Sequence, residues 1–279
     1  MKILFDSTNH NPETPILLNK AGHEVFIPKQ DIPDIHTFDL SSFLATLKSV
    51  QPDILVVGSF KFQIDKEIID LVGKAIFARM TAVDSIDTKY CKEKRIEVFS
   101  LRGEDLSDIT ATAEWTFLNM GMLLRKTGHE LNSKTLGVIG FGRLGKMMEQ
   151  YGLAFGMKVL KYDTNFVETE NQSNAGLLEV VLSCSDIVSL HITANESNKN
   201  FMDKEKFSEM KQGSWFLNSA RDWLVDSSAL AWARENRLAG DWSDFPEHQG
   251  GSTIQSAQKT ESIIVSKLIN YAKNSLSNL

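Results

Sequence analysis

The chain has 279 residues, with 30 basic and 36 acidic side chains, a net charge of -6 and no internal repeat; this predicts one large domain or two, with two favoured, and argues against a general nucleic-acid-binding surface. Its two cysteines, Cys91 and Cys184, are far apart and in apolar or mixed contexts, so a zinc cluster or a secreted cystine fold is disfavoured. Both thiols are expected to be buried, in a reducing cytoplasm. Asp6 comes too early for a signal peptide, and no apolar run approaches the ~18 residues of a membrane-spanning helix.

Short apolar, β-branched runs alternate with helix-like stretches along the chain, the pattern of parallel sheets covered by helices, so the fold class is α/β. In the first third, Lys2 to Phe5, Glu24 to Ile27, Ile54 to Val57, Ala75 to Ala78 and Glu97 to Phe99 read as buried strands. Asp65 to Val72 and Thr88 to Lys94 read as short helices, and Pro12, Pro15, Pro28, Pro33 and Pro52 as loop punctuation. Beyond these only Pro246 remains, a compositional shift that marks a second domain. A long helical pattern opens at Asp108, which reads as its N-cap, and runs to Gly128. From Thr135 a cleaner alternation follows: strands Leu136 to Gly140, Lys158 to Asp163, Asp186 to Ile192, Ser214 to Asn218 and Leu238 to Phe245. Helices Gly142 to Phe155, Ala175 to Leu182, Lys204 to Met210 and Ser227 to Glu235 separate them. The final segment, Thr253 to Asn274, carries Ile263, Ile264, Leu268, Ile269 and Ala272 at helical spacing and is expected to pack back on the amino-terminal domain.

The sharpest local signal is Gly140-Phe141-Gly142-Arg143-Leu144-Gly145, directly after a predicted strand and opening a predicted helix. Glycines there let the backbone turn tightly and approach a pyrophosphate whose charge meets the helix N-terminus. The next predicted strand ends at Asp163, where a carboxylate accepts from an adenosine ribose and repels a 2'-phosphate, so NAD is favoured over NADP. Taken alone, Asp163 has the lesser alternative of a solvated strand-end carboxylate. Arg221 and His248 each follow a predicted strand, where ligands of open α/β sheets bind. Oxidation of a hydroxy acid needs a base for the hydroxyl proton and a cation for the carboxylate, which histidine and arginine supply. Without that setting, Arg221 reads as a surface ion-pair residue and His248 as a solvated loop residue.

These residues together resemble the D-isomer-specific 2-hydroxyacid dehydrogenases. Leu190-His191-Ile192 resembles the family's L-H-x-P-L-T strand end, and Met210 through Arg221 resembles its M-K-x-G-A-x-x-I-N-x-A-R-G signature. Ala113-Glu114 is similar to the V-A-E element, Asp84-Ser85-Ile86-Asp87 to D-N-I-D, and His248-Gln249-Gly250-Gly251-Ser252-Thr253 to the H-I-G-G-S-T of phosphoglycerate dehydrogenases. The resemblance implies a Rossmann domain over 105–253 and a discontinuous flavodoxin-like substrate domain over 1–104 and 254–279, with the active site in the cleft between them. It implies hydride transfer between nicotinamide and C2 of a small 2-hydroxy or 2-oxo acid, Arg221 binding the carboxylate and carbonyl and His248 acting as general acid/base. Gly140, Gly142, Arg143, Leu144, Gly145, Asp163, His191, Ala220 and Asp244 would hold the cofactor, Asp244 facing the nicotinamide carboxamide. Arg79, Met80, Thr81 and Ala82 correspond to the loop whose backbone amides hold the substrate carboxylate. Arg79 is an added cation there, equally readable as a salt-bridge partner, and Arg102 is a second candidate for a further anionic group. Relatives dimerise through the nucleotide domain, which makes the helix from Asp108 to Lys126 a candidate interface for a homodimer, with an intradomain core helix as the alternative.

Three departures from the family pattern stand out. Only Phe245, Pro246 and Glu247 separate Asp244 from His248, where relatives have a longer stretch carrying the acid that pairs with the histidine; Glu247 is the only nearby candidate. Asp222 replaces the glycine after the arginine, and Thr193-Ala194-Asn195 stands in for P-L-T. These changes motivate a second reading, an NAD(H)-binding sensor or scaffold without efficient catalysis.

Overall fold

The computed structural model describes residues 1–6, 11–27, 39–58, 63–165, 178–243 and 250–277. Pro28, Pro33, Asp244, Pro246, Glu247 and His248 lie outside the described residues. The chain divides into two compact units, one of Met1–Asp105 with Ile254–Leu279 and one of Leu106–Thr253.

In the first unit the strands are β1 (Lys2–Phe5), β2 (Glu24–Phe26), β3 (Ile54–Val57), β4 (Ala75–Ala78) and β5 (Glu97–Phe99). The helices are α1 (Glu13–Lys20), α2 (Leu40–Val50), α3 (Lys66–Ile69), α4 (Thr88–Lys94) and, from the end of the chain, α10 (Ile254–Ser277). The strands pair in parallel in the order β2-β1-β3-β4-β5, the flavodoxin-like arrangement. Helices cover both faces of such a sheet, so a central strand has no polar face, and Ile54–Val57 and Ala75–Ala78 are buried throughout.

Two helices here escaped the sequence reading. Pro12 and Pro15 do not break the helix: Pro12 immediately precedes α1 and Pro15 lies in its first turn, where the missing N–H has no helical partner to lose. In α2 the Asp39 carboxylate accepts from the Ser42 N–H at 2.9 Å, and Phe43, Leu47 and Val50 form its buried stripe. The carboxyl-terminal helix α10 does pack on this unit, with Ile264, Val265, Leu268 and Ala272 buried and Tyr271 edge-on to Phe77 and Phe99.

The second unit runs α5 (Ala111–Lys126), β6 (Thr135–Ile139), α6 (Arg143–Ala154), β7 (Lys158–Tyr162), α7 (Leu178–Cys184), β8 (Ile187–Leu190), α8 (Lys204–Glu209), β9 (Ser214–Asn218), α9 (Ser227–Asn236) and β10 (Leu238–Ser243). Its parallel sheet has the order β10-β9-β8-β6-β7, so strand order reverses between β6 and β8. Successive side chains of β9 enter opposite cores: Phe216 joins Ile139, Val188 and Phe207, whereas Trp215 and Leu217 join Leu136, Val138 and Met120. α5 starts at Ala111 and not at Asp108. The Ile109 N–H bonds back to the Leu106 carbonyl in a separate turn, and Thr110 is the residue that leads into the helix.

One thiol also departs from expectation. Cys91 is buried, and burial together with the nearby Asp87 charge pushes it up to about 11, but Cys184 at the end of α7 is exposed. Among the described residues no helix is long and apolar enough to cross a membrane.

Candidate active site

Parallel strands deliver their carboxyl ends to one edge of the sheet, and where strand order reverses, the two flanking loops diverge and leave a crevice. In the second unit that point falls between β6 and β8. The loop after β6 is the glycine turn. Gly140 has φ of +92°, and a Cβ on it would lie 2.6 Å from the His191 carbonyl carbon, so only glycine fits against the end of β8. Gly145, in the first turn of α6, packs so closely that a Cβ would sit 2.2 Å from the Gly140 carbonyl oxygen. Gly142 differs: it precedes α6 in extended conformation, is exposed, and a Cβ there would meet nothing within 4 Å. No contact among the described residues demands a glycine at 142, whereas close approach of a ligand to this backbone would. The N–H groups of Arg143, Leu144 and Gly145 belong to the first turn of α6, where a helix offers donors it cannot use itself.

Asp163 follows β7 and reaches back to this turn. Its Oδ2 accepts the Phe141 N–H at 2.7 Å, and Oδ1 accepts the backbone and side-chain N–H groups of Asn165, both at 2.9 Å. It is therefore a built part of the loop as well as a carboxylate at the edge of the crevice. The Arg143 guanidinium points elsewhere: Nη1 donates to the carbonyls of Leu106 and Ile109, and burial lowers its pKa from the ordinary arginine value. What Arg143 presents to the loop is its backbone N–H.

His191, just past β8, is held by two serines, with Ser189 Oγ 2.7 Å from Nε2 and Ser219 Oγ 3.5 Å from Nδ1. Burial pushes its pKa down to about 4, so the ring is neutral at physiological pH. Past β9, the buried Asn218 staples the next turn. Its Oδ1 accepts the Ala220 N–H at 3.0 Å and its Nδ2 donates to the Arg221 carbonyl at 2.8 Å, while Arg221 Nη1 donates to the Ala220 carbonyl at 2.8 Å. The sequence reading named Asn218 only as part of a motif. The signal for its role was an asparagine at a strand end, whose short amide can bond the backbone two and three residues on. Asp222 accepts the Trp223 N–H at 2.8 Å within a short 3-10 turn.

Gly140 to Gly145, Asp163, His191, Ala220 and Arg221 are thus gathered at the carboxyl ends of the adjacent strands β7, β6, β8 and β9. Asp244, Glu247 and His248 lie outside the described residues. In the first unit, the residues expected to bind substrate separate into two kinds. The Met80 side chain belongs to the core, and Thr81 and Ala82 form the more exposed loop after β4. Of the two readings of Arg79, a substrate cation or a salt-bridge partner, the geometry matches the second: Nη1 lies 3.0 Å from Glu261 Oε2, and Nη2 lies 3.8 Å from Asp6 Oδ1, with the side chain buried. Two carboxylates compensate the cost of burying its charge, which removes the guanidinium from the loop surface.

Residues 102–266 match the family model described as D-isomer specific 2-hydroxyacid dehydrogenase, NAD binding domain. The chain belongs to this family. Hydroxypyruvate reductase of Thermotoga maritima is 32% identical over 196 residues, 64% of this chain and 63% of the relative. D-3-phosphoglycerate dehydrogenase of Haemophilus influenzae is 27% identical over 88% of this chain and 66% of its own length. The chain thus spans slightly less than two thirds of each. In fold it resembles the NAD+-bound 3-phosphoglycerate dehydrogenase of Entamoeba histolytica, with a TM-score of 0.79, 24% identity, and coverage of 99% of this chain and 96% of that one. NAD fits the loop: a turn held open by Gly142, first-turn amides for a diphosphate, and a carboxylate beyond β7 for a ribose.

Proposed function

We propose that this family member is an NAD-dependent oxidoreductase that interconverts a D-2-hydroxy acid and its 2-oxo acid. The observation that carries the reading is the turn from Gly140 to Gly145, in which a Cβ at Gly142 would meet nothing within 4 Å among the described residues. The backbone amides of Arg143, Leu144 and Gly145 would hold the diphosphate and Asp163 the adenosine ribose, and Ala220 and His191 would line the rest of the cofactor site. Bound there, NADH supplies the two electrons that reduce the C2 carbonyl. Arg221, kept in place by the Asn218 staple, binds the substrate carboxylate and polarises the carbonyl. His248 delivers the proton to the carbonyl oxygen, with Glu247 as its candidate partner and Asp244 on the carboxamide; these three roles rest on the sequence motifs. The backbone of Thr81 and Ala82 is a further candidate to hold a substrate carboxylate, a role that rests on the family resemblance alone.

The substrate is a small 2-hydroxy or 2-oxo acid, since the relatives' names include hydroxypyruvate reductase, D-3-phosphoglycerate dehydrogenase and D-lactate dehydrogenase. A homodimer through α5 is supported by Leu118 and Met122, four residues apart on that helix and 63% and 57% exposed. The low cysteine count is compatible with a cytoplasmic setting.

The test is NADH oxidation against a panel of small 2-oxo acids. Turnover is expected with at least one acid, and Arg221→Ala should lower kcat/KM about 100-fold or more, the scale of removing a positioned charged donor. NADH binding without turnover across the panel would replace this reading with that of a sensor or scaffold.

A further inference from the structure

The carboxyl-terminal helix α10 touches, through charged side chains, the two loops that follow β4 and β5. Glu261 lies on its buried stripe, fully shielded from solvent, and its two oxygens do different work. Oε2 receives Arg79 at 3.0 Å, and Oε1 accepts the Thr14 hydroxyl of α1 at 2.6 Å. Arg79 is the first residue after β4 and leads directly into Met80, Thr81 and Ala82. Its guanidinium passes over Gly58, where a Cβ would come within 2.3 Å of Nη2, and Asp6 accepts the Gly58 N–H at 2.9 Å. The ends of β1, β3 and β4 are thereby joined to α10 through one buried guanidinium.

Lys267 makes the second connection. Its ammonium donates to the Ser100 carbonyl at 2.8 Å and lies 2.7 Å from Glu104 Oε1, so it grips both ends of the loop after β5. The two loops are joined to each other as well, because the Leu101 N–H donates to the Met80 carbonyl at 3.0 Å. A helix that served only to cover the sheet would need its apolar stripe alone. Here a buried carboxylate and a half-buried ammonium are spent on loop backbone and on the residue that launches a loop.

We propose that Glu261 and Lys267 are positioning residues, through which α10 sets the conformation of the loops 79–82 and 100–105 and so the affinity for the 2-oxo acid. The inference rests on the proposed function for its substrate. Glu261 acts through the Arg79 side chain and Lys267 through the Ser100 carbonyl and the Glu104 carboxylate, so the effect falls on substrate binding and not on NADH.

The experiment compares wild type with Lys267→Met, Lys267→Arg and Glu261→Gln by steady-state kinetics, NADH fluorescence titration and hydrogen exchange of peptides covering 79–105. Lys267→Met, at a half-exposed site, should raise KM for the oxo acid about fivefold, the effect of ~1 kcal/mol, with kcat and NADH affinity unchanged. Lys267→Arg should restore KM to within about twofold. Amides of 79–82 and 100–105 should exchange faster in Lys267→Met and in Glu261→Gln. Unchanged exchange in these loops overturns the proposal, as does faster exchange with unchanged KM, or a joint loss of kcat and NADH affinity. If wild type turns over no oxo acid, the functional reading falls by itself. The positioning of the loops by α10 is then judged on exchange alone, supported if it is faster in both variants and overturned if it is not.

Discussion

A methyl group added at Gly142 or at Gly145 tests why this turn is built from glycine, because the same perturbation meets opposite surroundings three residues apart. At 145 the new Cβ would fall 2.2 Å from the Gly140 carbonyl oxygen and 3.1 Å from Val138 Cγ1, where real Cβ atoms essentially never come within 3.0 Å. Both neighbours belong to β6 or the turn that leaves it, so α6 must move off the sheet. Overpacking of this kind costs roughly 1–3 kcal/mol, offset by up to ~1 kcal/mol of helix propensity gained on replacing glycine. A net loss of about 1–2 kcal/mol, or ~2–8 °C in thermal midpoint for a unit of this size, is expected. At 142 the Cβ meets nothing within 4 Å, and alanine in place of glycine before a helix costs only a few tenths to ~1 kcal/mol. Its methyl would stand where a diphosphate approaches the backbone, so NADH affinity should fall about tenfold or more, ~1.4 kcal/mol. Thermal unfolding and NADH titration of both variants separate the two roles. Gly142→Ala binding NADH as tightly as wild type would refute the reasoning, as would Gly145→Ala unfolding at the wild-type midpoint.

Other consequences follow from the same geometry. Asp163→Ala removes the acceptor beyond β7 and frees the Phe141 N–H, so NADH should bind about tenfold more weakly and lose ground to NADPH, as read from the ratio of dissociation constants. His191 has a folded pKa of about 4, below its unfolded value of ~6.5, so the unfolded chain takes up its proton first and stability is lost as pH falls from 6.5 towards 4. In urea titrations at pH 7 and pH 4.5, His191→Gln should lose about 2 kcal/mol less than wild type between the two; an equal loss would mean the ring is not shielded as described. With a thiol reagent at neutral pH, Cys184 should react within the native state and Cys91 only on unfolding.

Most strands and the glycine turn were legible in the sequence because they are local events. Ile54 to Val57 and Ala75 to Ala78 carry no polar residue to confuse a buried strand, and Gly140 to Gly145 spells strand, turn and helix within a few positions. α1 was hidden by its prolines, harmless in a first turn yet read as loop markers, and α2 by an amphipathic stripe between proline-rich segments. The start of α5 was misplaced because Asp108 looks like a cap, while the backbone spends that position in a separate turn. The exposure of Cys184 depends on which side of α7 faces the sheet, which a lone cysteine does not announce.

Sequence alone determined the α/β class, the glycine turn between strand and helix, and the family, because each depends on residues adjacent in the chain. Tertiary structure decided what distant residues do to one another. Arg79 stands beside Thr81 and Ala82 in sequence and reads equally as a cation for substrate or a salt-bridge partner; Glu261, 182 residues away, and Asp6 decide it by taking its guanidinium into the interior. His191 is neutral because its partly buried ring is desolvated, a property set by packing that its spacing in a motif does not encode. A buried charge must find its partner wherever the fold brings one, and that partner's position along the chain carries no mark of the pairing.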